Sequence, residues 1–238
     1  MLVHLQVVPD IIKVRCRKCA LPQGGLDPHI IQYIDAAGLT GLFKVPNMEV
    51  DHALITTLVE RWCPETHTFH LPHGEMGITL QDIEVMLRIL VDGLLVTGRI
   101  NQARIKYKWL DAQFAAPPAA DAGDEVVQQH AHYHLLVWMG ALLFMDKSTD
   151  WVSLLPLQFF NPISGARQYS WGSAALAWLY RHLCRASKKD AMQIRGALLL
   201  MLLWAYSRWS GPKSTAEHAT HVLAVYWTSL ATLRAKQE

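Results

Sequence analysis

The chain has 238 residues, 51% hydrophobic and 18% charged, enough to bury a core and too apolar for a mainly disordered protein. A net charge of +2 excludes a global field that would draw the whole molecule to nucleic acid or acidic lipid, so any such binding needs a local patch. Four scattered cysteines make no disulfide framework, the first residues lack the pattern of a secretory signal, and no Asn-x-Ser/Thr acceptor occurs; the reducing interior of a cell fits best.

Asp27, Pro28 and Gly38 bracket a first helix whose apolar face is Ile30, Ile31 and Ile34. A second helix is predicted over 51–62, on the spacing of Leu54, Leu58 and Trp62, and closes before Pro64. The period then changes. Residues 66–71 (THTFHL) and 76–80 (MGITL) alternate, and Pro72-His73-Gly74-Glu75 is turn chemistry, which predicts a small hairpin. Thr79 with Asp82 forms a capping pair for a helix along Ile83, Met86, Leu87 and Leu90.

Residues 99–123 are the least regular, with a loop around Pro117 and Pro118. A long helix follows over 124–145, with His130, His134 and Trp138 on one face, and 154–160 suits a short helical piece. Ser170 caps a helix to Ala186, Asp190 opens an apolar helix through Trp209, 210–215 is a loop, and 216–234 forms a last amphipathic helix. Trp178 and Leu200 are expected in the core. The apolar run 196–206 lies between Arg195 and Arg208 and is far shorter than the roughly 20 residues of a membrane span. The expected fold is mostly α: a multi-helix globular domain with one small β-hairpin insert, its strands confined near 66–80.

Three phrases stand out. The first is Glu60-Arg-Trp-Cys-Pro-Glu-Thr-His-Thr-Phe-His-Leu-Pro-His-Gly-Glu-Met76, continued by Ile78-Thr-Leu-Gln-Asp82, Val91-Asp-Gly93 and Val96-Thr-Gly98. The second is Asp146-Lys-Ser148. The third is Tyr169-Ser-Trp-Gly-Ser-Ala-Ala-Leu-Ala177, with Leu179-Tyr-Arg181 and Leu183-Cys-Arg185. In this order, ahead of a Leu-rich stretch ending in Trp204 and Trp209, they resemble the plant mobile domain family, also labelled aminotransferase-like.

The resemblance runs over about 27–209, with a fainter echo at 221–234. It divides the chain into an unmatched segment, 1–25, and a domain, 26–238. Against the family pattern, 99–108 and the C-terminal side look shortened, and Arg88-Ile89-Leu90 replaces a Gly-Leu-Pro-like step.

The resemblance implies a non-enzymatic nuclear interaction module linked to meristem maintenance and to gene and transposon silencing. It implies a protein partner, phosphoprotein phosphatase-class relatives among the candidates. Direct DNA binding and a non-functional relic of a mobile element are the alternatives, and an enzyme with an unrecognised site comes last.

The residues themselves offer little catalytic chemistry. The phosphatase motifs Gly-Asp-x-His, Gly-Asp-x-x-Asp-Arg-Gly and Gly-Asn-His-Glu are missing from the sequence, as are a Gly-x-Ser-x-Gly elbow and the strand–helix alternation of a pyridoxal enzyme. Ser210-Gly-Pro-Lys-Ser-Thr215 lacks the first glycine of a phosphate loop, and Pro212 removes an amide donor. No cofactor is expected. Nor is a metal: His67 and His70 would face opposite sides of a strand, His130 and His134 sit on an apolar stripe as aromatic filling, His218 and His221 are an ordinary surface pair, and Cys16 and Cys19 lack a second close pair.

Two basic groups remain. One is Lys13, Arg15, Arg17 and Lys18. The other, Arg181, Arg185, Lys188 and Lys189, falls at a helix end, where cations also complement the dipole. This second group, with Arg61 as a weaker member, supplies the candidate contacts to a partner or to phosphate.

Overall fold

Asp27 starts the first helix by accepting the orphan N–H of His29 at 2.8 Å, which also holds its own carboxyl below the usual range. Pro28 has no N–H to lose at the first helical position, and Gly38 follows the helix with φ at +72°. This helix, α1, spans Pro28–Ala36 in the computed structural model, which describes residues 25–45, 49–72, 74–97, 103–114, 116–145, 150–188, 194 and 196–208. Ile30 and Ile34 are buried, but Ile31 is exposed, so the core-facing stripe is narrower than expected.

Helix α2, His52–Glu60, is capped by the Asp51 carboxylate on Leu54 N at 2.9 Å. Its buried face is Ile55, Leu58 and Val59. Trp62, expected on this helix, belongs instead to a strand. Helix α2 ends at Arg61, and β1 (Trp62–Cys63) pairs antiparallel with β2 (Thr68–Leu71), which pairs with β3 (Gly74–Met76).

The hairpin therefore exists with a third, short strand before it. Its returning strand ends at Met76 and does not run on to Leu80. The reason is the next helix: Thr79 Oγ1 accepts the Asp82 N–H while Asp82 accepts the Thr79 N–H, a reciprocal capping box that begins α3 at Leu80 (Leu80–Leu87).

A second sheet corrects the expectation of strands only near 66–80. Strand β4 (Arg104–Lys106) pairs antiparallel with β5 (Trp151–Ser153), with Ile105 opposite Val152. Helix α4 (Tyr107–Phe114) follows β4 directly, so the stretch expected to be irregular is partly ordered.

The long helix α5 (Asp124–Leu142) is the central element. From His130 onward it is buried on nearly every side, as a helix enclosed by others must be. It packs against α1, α4, β5 and α7 (Leu198–Arg208). A short 3-10 turn, Leu155–Phe159, matches the predicted helical piece.

Helix α6 (Trp171–Ala186) is capped as expected by Ser170, and packs on α3. Gly172 permits the approach: a Cβ there would lie 3.2 Å from Ile83 Cγ2 of α3 and 2.7 Å from Val91 Cγ1 just beyond it. Helix α7 starts later than Asp190 suggested, after Gly196 with φ at +111°, and buries Leu200 as expected. Trp204 of α7 meets Phe69 of β2 at 5.2 Å between ring centroids, joining the three-stranded sheet to the core. No described helix is long and apolar enough to cross a membrane. The first basic group, Cys16, Cys19, Asp190, Trp209, the 210–215 loop and the 216–234 helix lie outside the described residues.

Candidate functional site

The start of α6 is held from two directions. The Ser170 hydroxyl accepts the Ser173 N–H at 3.3 Å and donates to the Val91 carbonyl, while Ser173 Oγ donates to the same carbonyl at 3.2 Å. Leu94 N donates to Gln168 O at 2.7 Å, and Ser170 N donates to Leu94 O at 2.9 Å. The Ser173 hydroxyl is thus part of this strap.

With the helix end fixed, Trp171 turns inward at 1% exposure and donates its indole N–H to Ala166 O at 2.8 Å. Its ring meets Phe159 at 5.6 Å and Phe160 at 5.9 Å. Trp171 with Leu136, Gly140 and Phe144 floors a pocket of about 320 Å³, at the small end of the roughly 300–1,000 Å³ of ligand sites. Leu155, Pro156 and Phe159 line one side; Ala174 and Trp178 line the other, with the exposed Ala177 at its rim.

Trp178 is half-buried, not buried as expected. Its N–H reaches Met145 O at 3.4 Å and its ring abuts His182 at 4.6 Å, leaving part of the indole to line the pocket. At the mouth stand Trp151, Val96, Ser153, Arg104 and Arg181, and Lys106 Nζ lies 5.8 Å above the Trp151 ring.

The electrostatics are one-sided. Among the described residues no carboxylate lines the pocket, and two guanidiniums do. Arg181 makes no hydrogen bond or ion pair among the described residues. The signal was available in the sequence: residues 151–189 contain no Asp or Glu but include Arg167, Arg181, Arg185, Lys188 and Lys189.

The candidate contacts are thus only partly brought together. Arg181 is at the pocket mouth; Arg185 is exposed one turn on, and Lys188 is exposed just past the helix end. Lys189 lies outside the described residues. Arg61 is at the end of α2 with its Nη1 on Thr57 O at 3.1 Å, and takes no part in the pocket. Sequence reasoning missed Arg104, because nothing local announces that β4 pairs with β5.

The histidines have separate local roles. His67 is in a left-handed turn (φ 55°) and stacks on Tyr180 at 5.5 Å, so the opposite-facing strand geometry expected for it does not apply. His70 lies 3.3 Å from Glu75. Among the described residues no three His, Cys, Asp or Glu side chains gather as metal ligands would. His130 and His134 are buried in an aromatic cluster, as the apolar stripe implied. Burial, helped by the nearby His130, pushes His134 down to about 4. Burial also raises the Tyr133 phenol, whose O–H donates to Asp111 at 2.8 Å.

A sequence profile of the plant mobile domain matches residues 38–238. The chain belongs to the plant mobile domain family. Its relatives in Arabidopsis thaliana include a "Serine/threonine-protein phosphatase 7 long form homolog", 38% identical over 85% of this chain and 17% of that protein. Protein MAIN-LIKE 1 is 34% identical over 90% of this chain and 47% of that protein. Protein MAINTENANCE OF MERISTEMS is 28% identical over 96% of this chain and 52% of that protein. The chain therefore spans about half or less of these relatives' lengths. No solved structure matches it. The pocket's lining, from Val96 to Arg181, falls entirely within the part of the chain matched by the plant mobile domain profile.

Proposed function

We propose that this plant mobile domain is a non-catalytic interaction module that works in the nucleus and engages a protein partner, in keeping with the meristem-maintenance names in its family. The observation that carries the reading is the composition of the pocket. Among the described residues its lining holds no Asp, Glu, His, Cys, Lys or Tyr; the ionisable groups among them are Arg104 and Arg181, which keep their protons throughout the physiological range. These described residues offer no group tuned to pass a proton, so they suit binding better than general acid–base chemistry.

Exposed tryptophan and arginine are also the side chains that dominate protein interfaces, because they bring large contact area and directed hydrogen bonds. A role in silencing, and a partner of the phosphatase class, are parts of this reading that rest on family resemblance.

The test combines localisation with recovery. A fluorescent fusion of the full chain should accumulate in plant nuclei, and the tagged chain should retain a reproducible protein partner from nuclear extract at moderate salt. A chain that stays cytosolic and partnerless would overturn the proposal.

A further inference from the structure

Resting on that reading, we infer that the pocket between α5, α6 and β5 receives an acidic peptide segment of the partner: a large apolar side chain in the cavity, flanked by carboxylates that meet Arg181. The cavity supplies the first half of the argument. Its floor is apolar and aromatic, and among the described lining residues the Ser153 hydroxyl is the only side-chain hydroxyl, with no amide, so an inserted group should be apolar to avoid stranding buried polar atoms.

Charge supplies the second half. Arg181 at the mouth is joined by Lys106 above Trp151 and by Arg185 one turn along α6, while no carboxylate is among the described lining residues and the stretch 151–189 contains none. Asp150 adjoins Trp151 along the chain and is not part of the lining. A bidentate carboxylate on a guanidinium is the natural complement of this rim.

The same charges argue against other occupants. A second copy would bring the same cations to the same face. The chain's own residues 209–238 carry Lys213, Arg234 and Lys236 against Glu217 and Glu238, so they offer no acidic complement. A nucleobase seated on the apolar floor, away from Arg181 and Ser153 at the mouth, would bury polar edges against Leu136, Phe144 and Trp171.

The experiment pans a random peptide display library on the full chain, with Arg181→Glu and Ala177→Trp variants in parallel. Both positions are exposed on α6, so both variants should keep the wild-type melting point. Selected peptides should pair Trp, Phe or Leu with flanking Asp or Glu. Arg181→Glu should weaken a selected peptide by about tenfold, and Ala177→Trp should abolish its binding by filling the mouth. Peptides without acidic enrichment, no enriched peptides, or affinities indifferent to both substitutions would overturn the inference. So would random-sequence duplex DNA binding that these substitutions abolish while no peptide binds. Should Ala177→Trp still retain the nuclear partner, the interaction module stands and this pocket assignment falls.

Discussion

Trp171 and Trp178 sit two turns apart on α6 and share Phe144 as a neighbour, at 6.4 Å and 6.3 Å between ring centroids, yet one is floor and the other wall. Trp171 is sealed by Phe159 and Phe160, whereas Trp178 has His182 on one side and the pocket on the other.

The two tryptophans should therefore separate in a stability measurement. Trp171→Ala should cost about 3–5 kcal/mol, the range for removing a fully packed aromatic ring. Trp178→Ala should cost about 1–2 kcal/mol, because much of its ring already faces the pocket. Denaturant unfolding of the two variants checks this, and equal losses would mean that Trp178 is as enclosed as Trp171.

That difference marks where the sequence stops being informative. Local signals placed the helices well: Asp27, Thr79 and Ser170 each cap the helix assigned to them, since a cap needs only a side chain and amides two or three residues ahead. The 3.6-residue period put His130 and His134 inside, and the unbroken apolar run around Leu200 put that residue there too. Long-range pairing left no comparable trace. Arg104 and Ser153 oppose each other across 49 positions in strands of three residues, too short to show alternation. The pocket depends on that pairing, so the period that put Trp178 toward the core could not tell a core wall from a pocket wall. The acid-free run 151–189 was legible, but only its last basic residues were noticed.

Thr79→Ala should destabilise the fold by about 1 kcal/mol. The change removes the acceptor for Asp82 N and with it one of the two bonds of the capping box. Thr79→Ser keeps the acceptor and should recover most of the loss. A midpoint shift in urea at constant slope would report it, and an unchanged midpoint for Thr79→Ala would show the cap to be redundant.

Gly93 has φ at +122°, and a Cβ there would fall 2.5 Å from Gln168 O, against the loop that leads into α6. Gly93→Ala should cost at least about 1–3 kcal/mol from backbone strain alone. It should also loosen the Leu94–Gln168 bond that steadies the helix start. Hydrogen exchange at Leu94 is the direct readout, and faster exchange there than at Leu135 is expected in the variant.

Acid should weaken the fold through His134. Its folded value of about 4 lies below the ordinary 6.5, so between these values the unfolded chain binds more protons than the native one. The stabilisation is complete above pH 6.5 and is lost as pH falls toward 4, by about 3 kcal/mol for this group. Burial depresses His130 in the same direction, against an opposing hydrogen bond with the Phe114 backbone. His134→Phe should remove part of this slope between pH 6.5 and 4, measured by denaturation at each pH. An unaltered slope would show that other groups set the acid limit.

The exposed end of α6 distinguishes a protein partner from a phosphate backbone. Neither Arg181 nor Arg185 makes an ion pair or side-chain hydrogen bond among the described residues, so replacing both by Ala should change stability by little more than about 0.5 kcal/mol. Most of that change should come from Arg185, whose charge complements the helix C-terminus. The fold thus survives their removal, and any binding change is attributable to contact. On duplex DNA each lost phosphate contact lowers the salt dependence by about 0.9 in the slope of log K against log salt, so the double variant should flatten it by about two. On the protein partner the expectation differs: binding should survive moderate salt, because the apolar pocket contributes a part that ions do not screen, and should fall when Ala177→Trp fills the mouth. Salt titrations of the wild type and both variants, with duplex DNA and with the recovered partner, discriminate the two. A partner whose affinity follows salt as steeply as DNA does, and ignores Ala177→Trp, would move the contact surface from the pocket to the bare charges of the helix end.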